Sequence, residues 1–281
     1  MIAPVAIGVD NGGTWIRLEG LDARGRRVWS LKRHSPRLKQ LPAFLKNHLQ
    51  RFHGNLSFLS LGSRGVWKQA KRRALKRSLR GLAKKIVVMS DVEAAWLAAF
   101  KYEGIIVISG TGSIAYGKRR NGTFARAGGL GPEKGDEGSG YWIGKEWLQK
   151  VPSPPVGRER VKGEGGQAVR QVALLVPSII RKAKTGNQTA KDVIREAQSH
   201  LSDLVIRMIK ELRLKGKVPL SVSGSVLENN WFRSGFLRAL RKQRIRFQFL
   251  HRKMDPATAA ALFAQDSELS TQRSKRRLVE P

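Results

Sequence analysis

The sequence predicts an α/β protein of two related domains with a ligand-binding cleft between them. Two observations predict this fold class. The order meander–helix–strand–helix–strand–helix occurs twice along the 281 residues, and each copy opens with an apolar strand that ends in a glycine turn. Backbone N–H groups in such turns form concave sites that bind anions. Both glycine turns are therefore expected to face the cleft.

The first copy begins with "VAIGV", an apolar run that predicts a buried strand. Two further strands are predicted near 16–21 and 27–31, so that the three form a meander. A helix at 41–52, the strand "LSFLSLG", a basic helix at 66–85 and the strand "IVVMS" follow. The copy ends in the helix "DVEAAWLAAF", whose first residue, Asp91, can cap the helix N-terminus.

The second copy begins with the strand "GIIVISGTGS", and the Asn121-Gly122 turn predicts a hairpin after it. Helices are expected over 141–214, interrupted by a Pro/Gly-rich surface loop at 151–166. The strand "PLSVSGS", a helix at 230–242, the strand "RFQFLH" and the helix "DPATAAALFA" complete the order. Pro256 suits the first turn of that last helix.

These repeats divide the chain into a first domain over residues 1–103 and a second over 104–254. The final helix, at 255–265, can pack back on the first domain. Residues 266–281 are polar and basic, which predicts a disordered tail.

The net charge of +33 arises from 54 Lys and Arg against 21 Asp and Glu, and such a surface attracts polyanions. Within 66–85 the apolar residues recur at helical spacing, so the cations decorate the solvent face of an amphipathic helix. No nucleic-acid-binding motif accompanies them. Any attraction to nucleic acid is therefore expected to be nonspecific.

The chain has no cysteine. This excludes disulfides, cysteine-ligated zinc or iron–sulfur clusters, and a cysteine nucleophile. No stretch reaches the ~18 apolar residues that a membrane span needs, and the N-terminus does not have the pattern of a signal peptide. A soluble, cytoplasmic protein without a membrane partner is expected.

The turn after the first strand, "GVDNGGTW", suits phosphate binding. Gly12 and Gly13 let the backbone approach a phosphate closely, and Thr14 can add a hydroxyl donor. Asp10, at the end of the strand, can hold a hydrated Mg²⁺ ion. Taken alone, the same residues also fit a type I′ hairpin turn.

A second turn repeats this arrangement in the second copy. Gly110, Thr111 and Gly112 follow its first strand as Gly12, Gly13 and Thr14 follow the strand "VAIGV". Two glycine–threonine turns at matching places of a repeated topology are much stronger evidence for phosphate binding than one.

The motifs "DNGGT", "GTG" and "GGLGPEKGDEGSGYWIG" together resemble the N-acetylglucosamine kinase and BadF/BadG-type ATPase family. That family belongs to the actin-like, sugar-kinase and heat-shock ATPase superfamily. The resemblance covers about residues 6–264. It implies two ribonuclease H-like (actin-like ATPase) domains with a nucleotide- and sugar-binding cleft between them, and it implies ATP and Mg²⁺ as cofactors.

The resemblance also implies a role for each matching residue. Asp91 would be the catalytic base and would contact the sugar, and Asp10 would bind the metal. The other implied contacts are with the ATP phosphates (Asn11, Gly12, Gly13, Thr14, Gly110, Thr111 and Gly112), with adenosine (Gly224 and Ser225) and with the sugar (Gly129, Asp136 and Glu137).

Other observations qualify these roles. Asp136 and Glu137 can instead cap the helix that begins near Tyr141. Arg64 stands in "LGSRGVW", a loop that is usually neutral and small in the family and that should border the sugar. The segment 145–167 is shorter than in typical relatives.

Three functions fit the resemblance. The first is a kinase that transfers phosphate from ATP to an amino sugar such as N-acetylglucosamine or glucosamine, at the 6-hydroxyl. The second is an ATPase that activates a dehydratase, but that branch bridges its dimer with a cysteine-bound cluster and this chain has no cysteine. The third is a degenerate member that binds nucleic acid or another polyanion. The presence of Asp10, Asp91 and Asp136 favours the kinase, while the acceptor sugar and a homodimer are left open.

Overall fold

The computed structural model describes residues 2–52, 54–151 and 166–277, with side chains as far as residue 266. Its strands are β1 (Ala6–Asn11), β2 (Trp15–Leu21), β3 (Arg27–His34), β4 (Phe58–Ser63), β5 (Lys85–Ser90), β6 (Gly104–Ser109), β7 (Ser113–Lys118), β8 (Phe124–Gly128), β9 (Val218–Ser223) and β10 (Phe247–Phe249). Its helices are α1 (Leu41–Leu49), α2 (Gln69–Ser78), α3 (Asp91–Ala99), α4 (Gly140–Lys150), α5 (Gly166–Ala173), α6 (Val176–Lys184), α7 (Gln188–Glu211), α8 (Asn230–Lys242) and α9 (Pro256–Arg277).

The chain divides into two compact units. The first unit comprises Met1–Phe100 and Arg252–Pro281, and the second comprises Lys101–His251. The predicted boundaries, after residues 103 and 254, fall slightly later than these. In the described residues each unit has a mixed five-stranded sheet, in the order β3-β2-β1-β4-β5 in the first and β10-β9-β6-β7-β8 in the second. The predicted α/β class with a repeated order of elements is confirmed.

Strand β1 shows how the sequence places helices on both faces of the first sheet. Ile7 and Val9 lie in the apolar cluster on one face, together with Leu41, Leu45 and Leu59. The alternate positions carry small residues, and a Cβ atom at Gly8 would overlap the carbonyl oxygen of Ala257. The alternation of large and small residues along β1 therefore lets the alanine-rich helix α9 lie directly on the sheet.

We expect Gly8→Ala to destabilise the first unit. The new methyl group would force α9 away from the sheet, and overpacking of a close contact typically costs about 1–3 kcal/mol. The matched control is Gly166→Ala, because no other residue that the structure describes lies within 4 Å of a Cβ atom at that position. Thermal unfolding should show a lower midpoint for Gly8→Ala only. Equal midpoints for the two variants would contradict this packing.

The second unit has one continuous apolar core between its sheet and its helices. Ile105 and Val107 of β6 and Leu220 of β9 pack there with Phe232 and Phe236 of α8. Buried residues on helix α7 join the same cluster: Val193, Ile194, Ala197, Leu201, Val205 and Met208. The long amphipathic helix thus covers the sheet that carries the glycine turns of this unit.

Two helices differ in length from the prediction. The basic helix predicted at 66–85 is α2, Gln69–Ser78, because Gly81 adopts a φ of 86° and turns the chain into β5. The last helix, α9, extends to Arg277 instead of ending at residue 265, so it covers most of the segment predicted as a disordered tail. The predicted surface loop at 151–166 lies mostly outside the described residues, as do residues 278–281 of the predicted tail.

Candidate active site

In the first unit the predicted site residues come together because three parallel strands end side by side. Strand β4 pairs in parallel with β1 and with β5, and Ser63 is opposite Asn11 on one side and Ser90 on the other. The residues that follow these strand ends therefore lie next to one another. Ligands in α/β sheets bind at the carboxyl ends of strands, and Asp10 and Asp91 both lie there.

The first glycine turn is held in place by hydrogen bonds from its surroundings. The Asn11 side-chain amide donates to Ser63 Oγ over 3.0 Å, and Ser35 Oγ donates to the Gly12 carbonyl over 2.9 Å. Gly12 and Gly13 are absent from the left-handed φ region, which a type I′ turn requires at both central residues. That alternative is therefore wrong. The buried Oδ1 atom of Asn11 has no hydrogen-bond partner in the described structure, and Thr14 is exposed.

Asp10 has an unusually high pKa. The pKa of this carboxyl is raised from 3.8 to about 7, mainly by burial and then by the neighbouring Asp91 carboxylate, while the positive charges of Arg17 and Arg252 oppose the rise. The positive charges around Asp10 therefore only partly stabilise its ionised carboxylate. A carboxylate in this state favours the approach of a cation.

We expect Asp10→Asn to gain stability relative to the wild type as the pH rises from about 4 to about 7. Over this range the folded wild type retains the proton on Asp10 while the unfolded chain loses it, so its free energy of unfolding falls. The variant has no such group, and the difference should be on the order of a few kcal/mol at ~1.4 kcal/mol per pKa unit. Urea unfolding of both proteins near the two pH limits measures it. Asp203→Asn, at an exposed site on α7, controls for the lost charge, and a difference independent of pH would contradict the raised pKa.

Asp91 is the first residue of α3, but it does not cap that helix. The cap is Ser90, whose side chain accepts the Glu93 N–H while the Glu93 carboxylate accepts the Ser90 N–H, a complete capping box. The predicted capping role of Asp91 is therefore wrong. Its Oδ1 accepts the Val92 N–H over 3.0 Å, and burial raises the pKa of the carboxyl, against the opposing effects of that hydrogen bond and of the Arg64 charge.

In the second unit two glycine turns lie together at the ends of the parallel strands β6 and β9. Gly224 has a φ of 92°, and a Cβ atom there would overlap the Ser109 carbonyl. A Cβ atom at Gly110 would lie 3.9 Å from the Ser225 nitrogen. The structure thus brings 110–112 and 224–225 together, and the side chains of Thr111 and Ser225 are exposed.

The stretch "GGLGPEKGDEGSGYWIG" lies beside the 110–112 turn. The Gly140 N–H donates to the Gly110 carbonyl over 2.7 Å, and the Tyr141 N–H donates to the Thr111 carbonyl. A Cβ atom at Gly140 would come 2.9 Å from that Gly110 oxygen. At this position glycine is required by the close approach of two loops, so the glycine-rich stretch is a shaped loop and not a flexible linker.

Asp136 is a buried member of this loop. A Cβ atom at Gly112 would be 2.7 Å from its Oδ2, whereas its Oδ1 has no hydrogen-bond partner in the described structure. Burial raises the pKa of the Asp136 carboxyl, against hydrogen bonds from the N–H groups of Gly131 and Ser113. Its φ of 62° is unusual for a residue other than glycine, and strain of this kind is frequent at functional sites.

The predicted capping role of Asp136 and Glu137 is also wrong, since Ser139 caps helix α4 by accepting the Trp142 N–H. Glu137 and Gly129 are exposed. Both lie in the same loop region as Asp136, so the predicted sugar-contacting residues of the second unit are neighbours.

Two pairs of charged residues near the candidate site were not predicted from the sequence. Arg17 pairs with Asp255 over 3.1 Å beside Asp10, and no local signal predicts a contact between residues so distant in the chain. Arg72 pairs with Glu93, with a shortest distance of 2.6 Å, and thus supports the capping box that positions Asp91. The Ser-x-x-Glu pattern at Ser90 was a readable signal for that box.

The residues present fit a nucleotide with Mg²⁺. Within the described residues no group of three or more His, Cys, Asp or Glu side chains could hold a metal ion by itself. Mg²⁺ with a nucleotide does not need such a cage, because one or two carboxylates together with phosphates and water suffice. Asp10, short of compensating charge, and the unpartnered Oδ1 of Asn11 are suitable oxygen ligands.

None of the helices in the described part of the chain combines the length and the apolar character that a membrane crossing requires.

Two proteins of similar sequence and one of similar structure are named as sugar kinases. An N-acetylmuramic acid/N-acetylglucosamine kinase from Clostridium acetobutylicum is 29% identical over 236 residues, 74% of this chain and 77% of that protein. An N-acetyl-D-glucosamine kinase from Dictyostelium discoideum is 30% identical over 198 residues, 60% of this chain and 61% of that protein. A ROK family glucokinase from Streptomyces griseus, solved with glucose and AMPPNP, shares the fold with a TM-score of 0.63 at 20% identity, over 93% of this chain and 99% of that one.

A family model matches most of the chain and not only one motif. The model of the BadF/BadG/BcrA/BcrD ATPase family matches residues 60–264, which contain Asp91, the 110–112 turn, Asp136 and the 224–225 turn. The chain therefore belongs to the BadF/BadG/BcrA/BcrD ATPase family.

Proposed function

We propose that the protein is an ATP-dependent carbohydrate kinase that phosphorylates an amino sugar such as N-acetylglucosamine or glucosamine at its 6-hydroxyl. The observation that carries the proposal is Asp91. It lies at the end of a parallel strand beside the first glycine turn, its pKa is raised, and the helix that it begins is capped by a different residue. The names of the two curated relatives support the sugar.

In the proposed reaction the sugar hydroxyl oxygen forms a bond to the γ-phosphorus of ATP. The bond from that phosphorus to the bridging oxygen breaks, ADP leaves, and the hydroxyl proton passes to the Asp91 carboxylate. A raised pKa makes this carboxylate a stronger base. Phosphoryl transfer otherwise requires positioning and charge neutralisation more than covalent chemistry.

The other predicted residues take the binding roles in this proposal. Asn11–Thr14 and the 110–112 turn bind phosphates through backbone N–H groups and threonine hydroxyls. Gly224 and Ser225 contact adenosine, and Gly129, Asp136 and Glu137 contact the sugar. Asp10 holds Mg²⁺, which, when bound, neutralises charge on the phosphates.

The test is release of ADP in the presence of N-acetylglucosamine, glucosamine, N-acetylmannosamine and glucose in turn. We expect turnover to depend on an amino sugar, and phosphorus–proton NMR correlation of the product to show a phosphate on the C6 oxygen. ADP release that is the same with and without every sugar would overturn the kinase proposal in favour of an ATPase without a sugar acceptor.

A second candidate, sequence-independent binding of a polyanion, is favoured by the dense surface cations, of which those beside α2 are one example. A pocket of about 500 Å³ beside α2 is lined by five cations, Arg73, Lys76, Arg77, Arg80 and Lys84, and by no carboxylate of the described residues. The cations are exposed. Such a surface can contact phosphates without reading a sequence.

We expect any binding of DNA or RNA to be independent of sequence and to weaken steeply with salt. For duplex DNA, a plot of the logarithm of the binding constant against the logarithm of the salt concentration should have a slope near −4.5 for about five phosphate contacts. Filter binding of Arg73/Arg77/Arg80→Gln and of the control Arg181/Lys182/Lys184→Gln, which removes three exposed cations of α6, should show similar losses. A loss confined to the α2 variant, or sequence-selective binding at physiological salt, would instead indicate a dedicated site.

A further inference from the structure

Arg64 begins the loop after β4, and its backbone is fixed on the side of the first glycine turn. It directly follows Ser63, the last residue of β4, which the sheet register places opposite Asn11 of β1 and Ser90 of β5. The Arg64 N–H donates to the Asn11 carbonyl over 3.2 Å, and the Arg64 carbonyl accepts from Ser63 Oγ. Because both polar groups of its backbone are held, the Arg64 side chain starts from a defined place beside the turn.

The guanidinium group of Arg64 lies against this turn. A Cβ atom at Gly13 would lie 3.4 Å from Arg64 Nη1. The residue is exposed, and in the described part of the chain its guanidinium makes no hydrogen bond or ion pair with a carboxylate. Its hydrogen-bond donors are therefore available to a ligand that the turn binds.

The same cation also acts on Asp91. Burial raises the pKa of Asp91, and the positive charge of Arg64 is among the effects that oppose the rise. Interactions between charges weaken with distance, so the guanidinium lies near that carboxylate as well as near Gly13. In the proposed kinase reaction the turn binds phosphate and Asp91 touches the attacking hydroxyl. The phosphoryl group passes from the one to the other, so a cation near both lies beside its path.

We propose that Arg64 is a further catalytic residue, whose guanidinium donates hydrogen bonds to the non-bridging oxygens of the phosphoryl group during its transfer. This inference deepens the proposed kinase function and rests on it. The planar fork of a guanidinium matches two phosphoryl oxygens with two parallel hydrogen bonds. A fixed charge of this kind stabilises most where negative charge develops in the transition state.

Arg64 forms no covalent bond in this reaction. The acceptor hydroxyl oxygen bonds to the γ-phosphorus, and the bond from that phosphorus to the β–γ bridging oxygen breaks. ADP leaves with the electron pair of the broken bond, and the hydroxyl proton passes to Asp91. The guanidinium keeps all its protons throughout, because arginine is not deprotonated in proteins.

Calorimetric titration with ADP and with AMPPNP, each in the presence of Mg²⁺, tests the contact without turnover and without sugar. In Arg64→Ala we expect the affinity for AMPPNP to fall about 10- to 100-fold, as for a lost hydrogen bond between charged groups. The affinity for ADP should be retained, because ADP lacks the third phosphate. Arg64→Lys keeps the charge but not the fork, so its affinity for AMPPNP should lie between those of the wild type and Arg64→Ala.

The matched control is Arg24→Ala. It removes an exposed arginine from the turn between β2 and β3, at the opposite end of the same sheet from Gly13. Both nucleotide affinities of this variant should equal those of the wild type.

Turnover tests the catalytic part of the inference. We expect kcat of Arg64→Ala for sugar-dependent ADP release to fall about 10²–10³-fold, as for the loss of one preorganised donor to a developing charge. Free guanidinium ions at a concentration that does not unfold the protein should restore part of this rate in Arg64→Ala and none in Asp91→Asn. A purely structural role of Arg64 would not give that difference.

The outcomes that contradict this inference are distinct from those that contradict the kinase proposal. Equal losses of affinity for ADP and AMPPNP, or no loss for either, would overturn the contact with the third phosphate. An unchanged kcat in Arg64→Ala would overturn its catalytic role. If ADP release is independent of every sugar, the kinase proposal fails, but the two nucleotide affinities still decide whether Arg64 contacts the third phosphate.

Discussion

Replacement of Asp91 by asparagine is expected to lower sugar-dependent ATP turnover by about 10²–10⁴-fold, the usual contribution of a general base. Asparagine has the same size, and its amide oxygen can still accept the Val92 N–H, but it cannot accept the proton of the attacking hydroxyl. The proposed phosphate-binding turns and Asp136 are unchanged, so the affinities for ATP and sugar should be retained. Initial rates at saturating substrates, together with calorimetric affinities, measure the effect.

The adjacent residue provides the matched control. Ser90→Ala removes the helix cap, which should cost about 0.5–2 kcal/mol of stability, with a smaller loss of rate. Asp91→Asn should not lower the thermal midpoint, because burial disfavours the ionised carboxylate that it removes. A normal rate in Asp91→Asn would show that a different carboxylate is the base, and Asp136 would be the next candidate.

Replacement of Asp10 by asparagine is expected to lower Mg²⁺-dependent turnover by about 10²–10³-fold, since metal stabilisation of phosphoryl charge contributes several kcal/mol. The variant keeps the shape of the side chain and the turn that follows β1. It loses the ionised oxygen that Mg²⁺ prefers. Turnover measured over a range of Mg²⁺ concentrations at fixed ATP should show that the variant requires more metal and reaches a lower maximum.

Two further measurements make this prediction specific. Asp255→Asn removes a neighbouring carboxylate that pairs with Arg17 and should change the Mg²⁺ dependence much less. The affinity for sugar in the absence of nucleotide should be equal in the wild type and Asp10→Asn. An unchanged Mg²⁺ dependence and an unchanged nucleotide affinity in Asp10→Asn would show that this turn does not hold the metal.

The α/β class and the positions of the glycine turns could be predicted because they depend on local patterns. Apolar runs such as Ala6–Val9 are typical of buried strands in α/β proteins. A glycine turn that directly follows such a run lies at the end of the strand, whichever other strands pair with it. The family resemblance depended on the same short motifs. The capping box at Ser90 was also local and could have been read from the sequence.

The charge environment of the site could not be predicted in this way. Arg17 meets Asp255 across a sequence separation of 238 residues, and Arg252 acts on Asp10 only because the end of the chain returns to the first sheet. The place of Asp136 beside Gly112 likewise depends on how two loops pack. Residue types alone indicate which groups can ionise, but not which of them are buried or what charges surround them.

The sequence by itself determined the strands, the glycine turns, the candidate carboxylates and the family, because each of these is encoded within a few neighbouring residues. The tertiary structure alone decided that the pKa values of Asp10 and Asp91 are raised, and that Arg64 lies between the ends of β1 and β5 without a carboxylate partner in the described residues. The physical reason is that burial and electrostatic interaction depend on distances through space, and these are set only when strands remote in sequence pair and their ends come together.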